Sequence, residues 1–191
     1  MAATPDNLRA KRTVERPAQT DERAAEAAFE ALFEEHYSRI YGVAFRLLGD
    51  RAEAEDLALE SFWRLYRSPP RSAENIGGWL YRVATRLGLN ALRALGRRRR
   101  HEQEAGRMEV AHNATADPEE ALVARQEQRQ VRLTLGKLSE KQAQLLVLRH
   151  SGLSYREIAE ALRVAPGSVG TLLARAERAF AQAYRADWPG E

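Results

Sequence analysis

One stretch of this 191-residue chain combines side chains suited to a single kind of chemistry. Between Asn75 and Arg100 lie Trp79, Tyr81, Arg82, Arg86, Asn90, Arg93 and Arg97, a mix of aromatic faces, permanent cations and one amide. Bases freed from a duplex stack on aromatic rings while arginines track the phosphates. An asparagine can read a base edge with two hydrogen bonds. The run Arg97 to Arg100 suits phosphate contacts and an ordinary charged linker equally. The competing reading of the stretch places Trp79 in a core and the arginines in solvent.

A second stretch, Leu153 to Leu172, has the pattern of two short helices and a tight turn. Ser154 and Glu157 form a capping box for the first helix. Ile158, Ala159 and Leu162 make its inner stripe, and small Ala159 permits close helix approach. Val164 fills the turn, and Pro166 sits near the first turn of the next helix. That helix turns Val169, Leu172, Leu173 and Ala176 inward. A helix held in this way can enter the major groove of DNA. An ordinary helical hairpin is the alternative.

A third stretch, Ala52 to Tyr66, places Glu53, Glu55, Asp56 and Glu60 beside Leu57, Phe62 and Trp63. It suits a solvated face, or a docking face for a basic helical partner with Trp63 as its aromatic anchor. No arrangement for catalysis accompanies these stretches. The chain has no phosphate-cradling Gly loop before Lys-Ser/Thr, no nucleophile elbow and no His-Glu-x-x-His. With no cysteine, thiolate metal sites and disulfides are excluded, and His36, His101, His112 and His150 lack ligand spacing. Neither a metal nor a cofactor is expected, nor enzyme activity. The formal charge is only +3, so the clustering of arginine from Arg93 to Arg107 says more than the total.

The elements needed to position these groups are helical throughout. Phe29, Leu32, Phe33, His36, Tyr37, Ile40, Tyr41, Ala44, Phe45 and Leu48 follow one helix face, which Gly49-Asp50 ends. Asp50 with Glu53 caps a second helix reaching about Tyr66, with Leu57, Ser61, Phe62, Leu65 and Tyr66 inward. Ser68 to Ser72 breaks the chain. A third helix starts near Ile76 or Gly77 with Trp79, Leu80, Val83, Ala84, Leu87, Ala91 and Leu95 inward. After a linker over Gly106 to Ala116, Asp117-Pro118-Glu119-Glu120 opens a helix with a weak stripe of Leu122, Arg125, Arg129 and Leu133. Ser139 and Gln142 open another, holding Leu145, Leu146 and Leu148 and ending at Gly152.

The expected fold is therefore all-α, with two small helical domains, an N-terminal bundle and a C-terminal helix-turn-helix domain, joined by a flexible linker. The boundaries read as a disordered tail over 1–24, a bundle over 25–100, a linker over 101–117, a helix-turn-helix domain over 118–186 and a tail over 187–191. No apolar run approaches the roughly 20 residues needed to span a bilayer. A cytoplasmic protein without membrane insertion is expected.

Three motifs in order resemble the small, two-domain extracytoplasmic-function (ECF) sigma factors of bacterial RNA polymerase, in the sigma-70 family. Gly49 to Tyr66 is similar to the family's region that docks on the polymerase β′ clamp helices. Gly78 to Arg93 is similar to its promoter-melting and −10 region, and Leu138 to Arg178 to its −35-reading domain. The resemblance implies a sigma factor that binds core RNA polymerase through the β′ clamp helices and β flap, and that recognises promoter DNA. It also implies control by an anti-sigma factor. Core-binding residues would be Asp56, Leu57, Glu60, Phe62 and Trp63. The −10 contacts would be Ser72, Asn75, Trp79, Arg82, Arg86, Asn90, Arg93 and Arg97, with Ser68 to Asn75 forming a pocket for a flipped base. The −35 contacts would be Ser154, Tyr155, Arg156, Ser168, Thr171, Arg175 and Arg178. Two departures stand out. Leu59 replaces a frequent Gln, and Gly170 and Leu172 stand where relatives commonly carry Lys or Arg. Few long donors remain on the groove face, so −35 recognition is expected to be weak or to rely on backbone contacts and DNA shape, with specificity leaning on the −10 domain. A stand-alone helix-turn-helix regulator is the competing function, and a nucleic-acid enzyme the third.

Overall fold

The computed structural model describes residues 17–70, 75–104 and 118–188. Among these it contains seven α-helices and no strand: α1 (Pro17–Leu48), α2 (Arg51–Arg67), α3 (Ile76–Glu104), α4 (Pro118–Lys137), α5 (Glu140–His150), α6 (Tyr155–Leu162) and α7 (Val169–Asp187). A 3₁₀ turn, Pro166–Ser168, precedes α7. Backbone contacts divide the chain into a unit over 1–35 and a unit over 36–191. Within the first, the described residues are the opening turns of α1. The second holds the rest of α1 and all later helices.

The punctuation read from sequence forms as physical caps. Gly49 takes φ +74°, a left-handed conformation cheap only for glycine, and its N–H donates to the Phe45 carbonyl at 2.8 Å. Asp50 then accepts from the Glu53 N–H at 2.9 Å and starts α2. Ser139 with Gln142 and Ser154 with Glu157 each complete a capping box. Gly152, at φ +87°, closes the turn between α5 and α6.

In the second unit, Ile40, Val43, Ala44 and Leu47 of α1 pack with Leu57, Phe62 and Leu65 of α2 and Leu80, Ala84 and Leu89 of α3. Gly88 is required by the approach of α1. A Cβ there would lie 2.5 Å from Leu47 Cδ1, and Leu47 is wholly buried. The second cluster joins Leu145, Leu148, Leu153, Ile158, Val169 and Leu173. Residues Ala143 to Leu148 are buried all round α5, because α5 lies between α3 on one side and α6 and α7 on the other.

Several expectations are corrected. α1 already starts at Pro17, inside the stretch expected to be disordered, where the missing proline N–H costs a helix nothing. α3 runs through Glu104, past the expected boundary at 100. Phe45 is not a core residue but is 39% exposed. The buried register of α1 is 40, 43, 44 and 47, so Tyr37, Tyr41 and Phe45 fall on its flank and stack at 6.3 and 6.1 Å. Tyr66 is likewise exposed rather than inward. On α3, Tyr81, Thr85 and Leu92 are buried besides the expected Leu80 and Ala84, because helices cover two of its sides. Arg125 and Arg129 of α4 face solvent, while Thr134 is buried and Gln130 accepts a 2.9 Å hydrogen bond from the Tyr184 hydroxyl. The expected linker 106–116 and the Asp117 cap lie outside the described residues.

Candidate nucleic-acid interface

The α3 residues singled out above share one helical stripe. Trp79, Arg82, Arg86, Asn90, Arg93 and Arg97 recur at steps of three and four, which keeps them on one face over roughly 27 Å at 1.5 Å per residue. Asn75 caps this helix. Its Oδ1 accepts from the Gly78 N–H at 2.5 Å, and a Cβ on Gly78 would collide with that same oxygen. Its Nδ2 donates to Glu160 of α6 at 3.2 Å. Arg86, Asn90 and Arg97 are exposed, while Trp79, Arg82 and Arg93 are partly covered. Ser72 lies outside the described residues.

What covers the stripe is the C-terminal set of helices. The Arg93 guanidinium donates to the carbonyls of Gly136 at 3.1 Å and Leu138 at 3.0 Å, at the end of α4. Arg86 pairs with Glu140 at 3.9 Å. Burial and the neighbouring Arg163 pull the Arg82 guanidinium below its ordinary pKa. Tyr81, buried beside the stripe, has its hydroxyl pKa raised by desolvation, partly offset by Arg39.

The helix-turn-helix is formed by α6, the turn at Arg163 and α7. Arg163 adopts the left-handed conformation (φ 54°, ψ 52°) and ends α6. Its N–H and that of Val164 close on α6 carbonyls. Ile158, Ala159 and Ala161 face Val169, Leu173 and Ala176. Leu162 and Leu172 are only half-buried at the edge of this contact. Thr171, Ala174, Arg175 and Arg178 form an exposed face of α7 at the i, i+3, i+4, i+7 spacing. Arg178 folds back to the Ala174 carbonyl at 3.1 Å. Ser168 donates to the Ala165 carbonyl at 2.7 Å. Tyr155 is exposed beneath the Arg149 guanidinium, 5.4 Å from its ring centroid, and lies next to Gly170. Arg156 bridges to Glu160 at 3.1 Å, and Ser154 is engaged in its capping box.

On α2 the expected docking residues separate into two faces. Leu57 and Phe62 are buried with Leu65 on the inner side of α2, beneath the exposed face, where they support it. Asp56 is exposed, and Glu60 accepts from Arg64 within the helix at 2.7 Å. The outer apolar face is Leu59 (45% exposed), Trp63 (53%) and Tyr66 (62%), with Trp63 and Tyr66 stacked at 5.9 Å and Arg67 over the Trp63 ring. Leu59 and Tyr66 were missed as surface residues. The i, i+4, i+7 spacing of 59, 63 and 66 was the available signal. Among the described residues no cluster of His, Asp and Glu could hold a metal ion, and no helix is long and apolar enough to cross a membrane.

Comparison with known proteins matches sigma-70 region 2 to residues 32–98 and sigma-70 region 4 to residues 128–180. The ECF RNA polymerase sigma factor SigE of Mycolicibacterium smegmatis is 31% identical over 82% of this chain and 61% of its own length. The RNA polymerase sigma-H factor of Pseudomonas aeruginosa is 31% identical over 86% of this chain and 90% of its own. A structure of the sigma factor RpoE with the anti-sigma factor NepR from Bartonella quintana is similar at a TM-score of 0.46 and 19% identity, covering 84% of this chain and 98% of that one. A helical chain with these two regions in this order is of the class of transcription initiation factors. More narrowly, the chain belongs to the ECF group of the sigma-70 family of RNA polymerase sigma factors.

Proposed function

We propose that this sigma factor divides its work between the two halves of the chain, residues 25–100 and 118–186. The outer face of α2 would dock on the β′ clamp helices of core RNA polymerase, with Trp63 as anchor between Leu59 and Tyr66 and Asp56 on the acidic rim. The face Asn75–Trp79–Arg82–Arg86–Asn90–Arg93–Arg97 would hold the melted −10 strand, its arginines on phosphates and Trp79 stacking on a base. α7 would enter the −35 major groove with Thr171, Arg175 and Arg178, and Tyr155 and Arg156 would meet the flanking backbone. This work belongs in the cytoplasm, with control by an anti-sigma protein that covers the same faces. The reaction centre would be the polymerase's own.

The observation that carries this reading is the single stripe of aromatic, amide and guanidinium groups on α3, in one chain with a capped helix-turn-helix. Run-off transcription with core polymerase on a library of promoter fragments tests it. Transcripts that depend on this protein are expected. A protein that neither supports transcription nor binds core refutes the reading.

A further inference from the structure

α3 begins where the −10 face begins, and its start is intrinsically weak. Ile76, Gly77 and Gly78 open the helix, and glycine is the poorest helix former after proline. The packing explains why both positions are glycine. A Cβ on Gly78 would stand 2.5 Å from Asn75 Oδ1 and 2.8 Å from Asn75 Cγ. A Cβ on Gly77 would stand 3.1 Å from Cε1 of His36, a residue of α1. The bare backbone thus lets a carboxamide and an imidazole ring close on the first turn of α3. The amides of a first turn have no partners within their own helix. Asn75 supplies one, its Oδ1 accepting from the Gly78 N–H at 2.5 Å, three residues on, as a helix cap does. Trp79, the first aromatic face of the stripe, follows directly on that bond.

An asparagine that reads a base edge uses its oxygen and its nitrogen together. In Asn75 the oxygen is held against the α3 backbone, and the nitrogen donates to Glu160. From this geometry we infer that Asn75 serves the −10 face as a positioning residue and not as a base reader. With His36 against Gly77, it fixes the start of α3 and so the place of Trp79, on which a base would stack. The inference rests on the reading of α3 given above. Without the cap the first turn frays and carries Trp79 with it. Arg86 to Arg97 lie more than two turns further in and keep their register. The damage should therefore fall on binding of the melted strand and spare the other faces of the protein.

Three substitutions at residue 75 separate the two roles. Asn75→Ser keeps a capping oxygen and loses the amide. Asn75→Gln keeps the amide on an arm too long for the cap, and Asn75→Ala loses both. Each variant, assembled with core polymerase, would be titrated by fluorescence anisotropy with a pre-melted promoter fragment and, separately, with the −35 duplex. Hydrogen exchange at the Gly78 amide of the free protein reads the cap directly. Asn75→Ala and Asn75→Gln should bind the pre-melted fragment about fivefold more weakly, the factor by which losing a typical cap lowers the ordered fraction of the first turn. Their Gly78 amide should exchange faster by a similar factor. Asn75→Ser should recover most of both. Core affinity and −35 duplex binding should stay at the parent level in all three, which a general loss of fold would not allow. Gly78→Ala displaces the carboxamide without altering residue 75 and should repeat the Asn75→Ala pattern, which covers the case in which that variant misfolds. A serine variant as weak as the alanine one, a glutamine variant as strong as the parent, or an alanine variant indistinguishable from the parent overturns the inference. A parent holoenzyme that ignores the pre-melted fragment, while exchange at Gly78 still follows the cap, would refute the −10 reading of α3 and leave the positioning of its first turn standing.

Discussion

Gly170→Lys isolates the consequence of a recognition helix short of long donors. A Cβ at Gly170 would meet Tyr155 Cε2 at 3.6 Å, an ordinary contact, so the new side chain enters without displacing the ring. Replacing a helical glycine gains up to about 0.7 kcal/mol of helix stability. A cation in the first turn of α7 gives back about 0.3–1 kcal/mol. The fold should therefore hold its stability to within about 0.5 kcal/mol, while the DNA face gains a donor. A bidentate contact to a base edge is worth about 1–3 kcal/mol, or roughly 5- to 150-fold in affinity. A phosphate contact instead steepens the slope of log K against log salt by about 0.9. Fluorescence anisotropy of the holoenzyme with promoter fragments, with the −35 duplex intact or scrambled, separates the two. A gain confined to the intact duplex marks base reading, and a gain on both marks phosphate. Unchanged affinity and salt slope in a folded variant would refute the argument that missing donors on this face limit −35 binding. The same reasoning predicts steeper losses from promoter mutations in the −10 element than in the −35 element.

Trp63→Ala should leave thermal stability within about 0.5 kcal/mol, because the ring is exposed. It should weaken core polymerase binding by about 2 kcal/mol or more in a pull-down titration or calorimetry. Gly88→Ala should lower the melting temperature, since overpacking against buried Leu47 costs about 1–3 kcal/mol and the helix-propensity gain returns at most about 1. An unchanged or higher melting point would contradict that contact. The acid limb of stability should depend on the α6 cap. Hydrogen bonds from the Ser154 hydroxyl and N–H, both 2.7 Å, hold the Glu157 carboxyl below the ordinary carboxylate range. The folded pKa is thus depressed, so this stabilisation is present above the unfolded-state value and lost as pH falls through the folded one. Denaturant melts of Ser154→Ala should show a loss of about 0.5–2 kcal/mol at neutral pH that narrows toward acid.

The parts of this protein legible in sequence are those set by short-range chemistry. Asp50, Ser139 and Ser154 announce helix starts because each cap reaches only three residues along the chain. Gly49 and Gly152 announce ends because few other residues accept their positive φ. The α3 stripe follows from the helical repeat alone, as does the inner face of the helix-turn-helix. What tertiary structure decided is which of several apolar faces on one helix is buried. α1 carries both a register of 40, 43, 44 and 47 and a ladder of Tyr37, Tyr41 and Phe45, and only the close packing at Gly88 and Leu47 selects the first. On α2 the inward stripe of Leu57, Phe62 and Leu65 was legible, but Tyr66, counted with it, lies on the exposed face with Leu59 and Trp63. The meeting of Arg93 with the end of α4 was not legible either. Its partners are backbone carbonyls more than forty positions along the chain, which carry no side-chain signature.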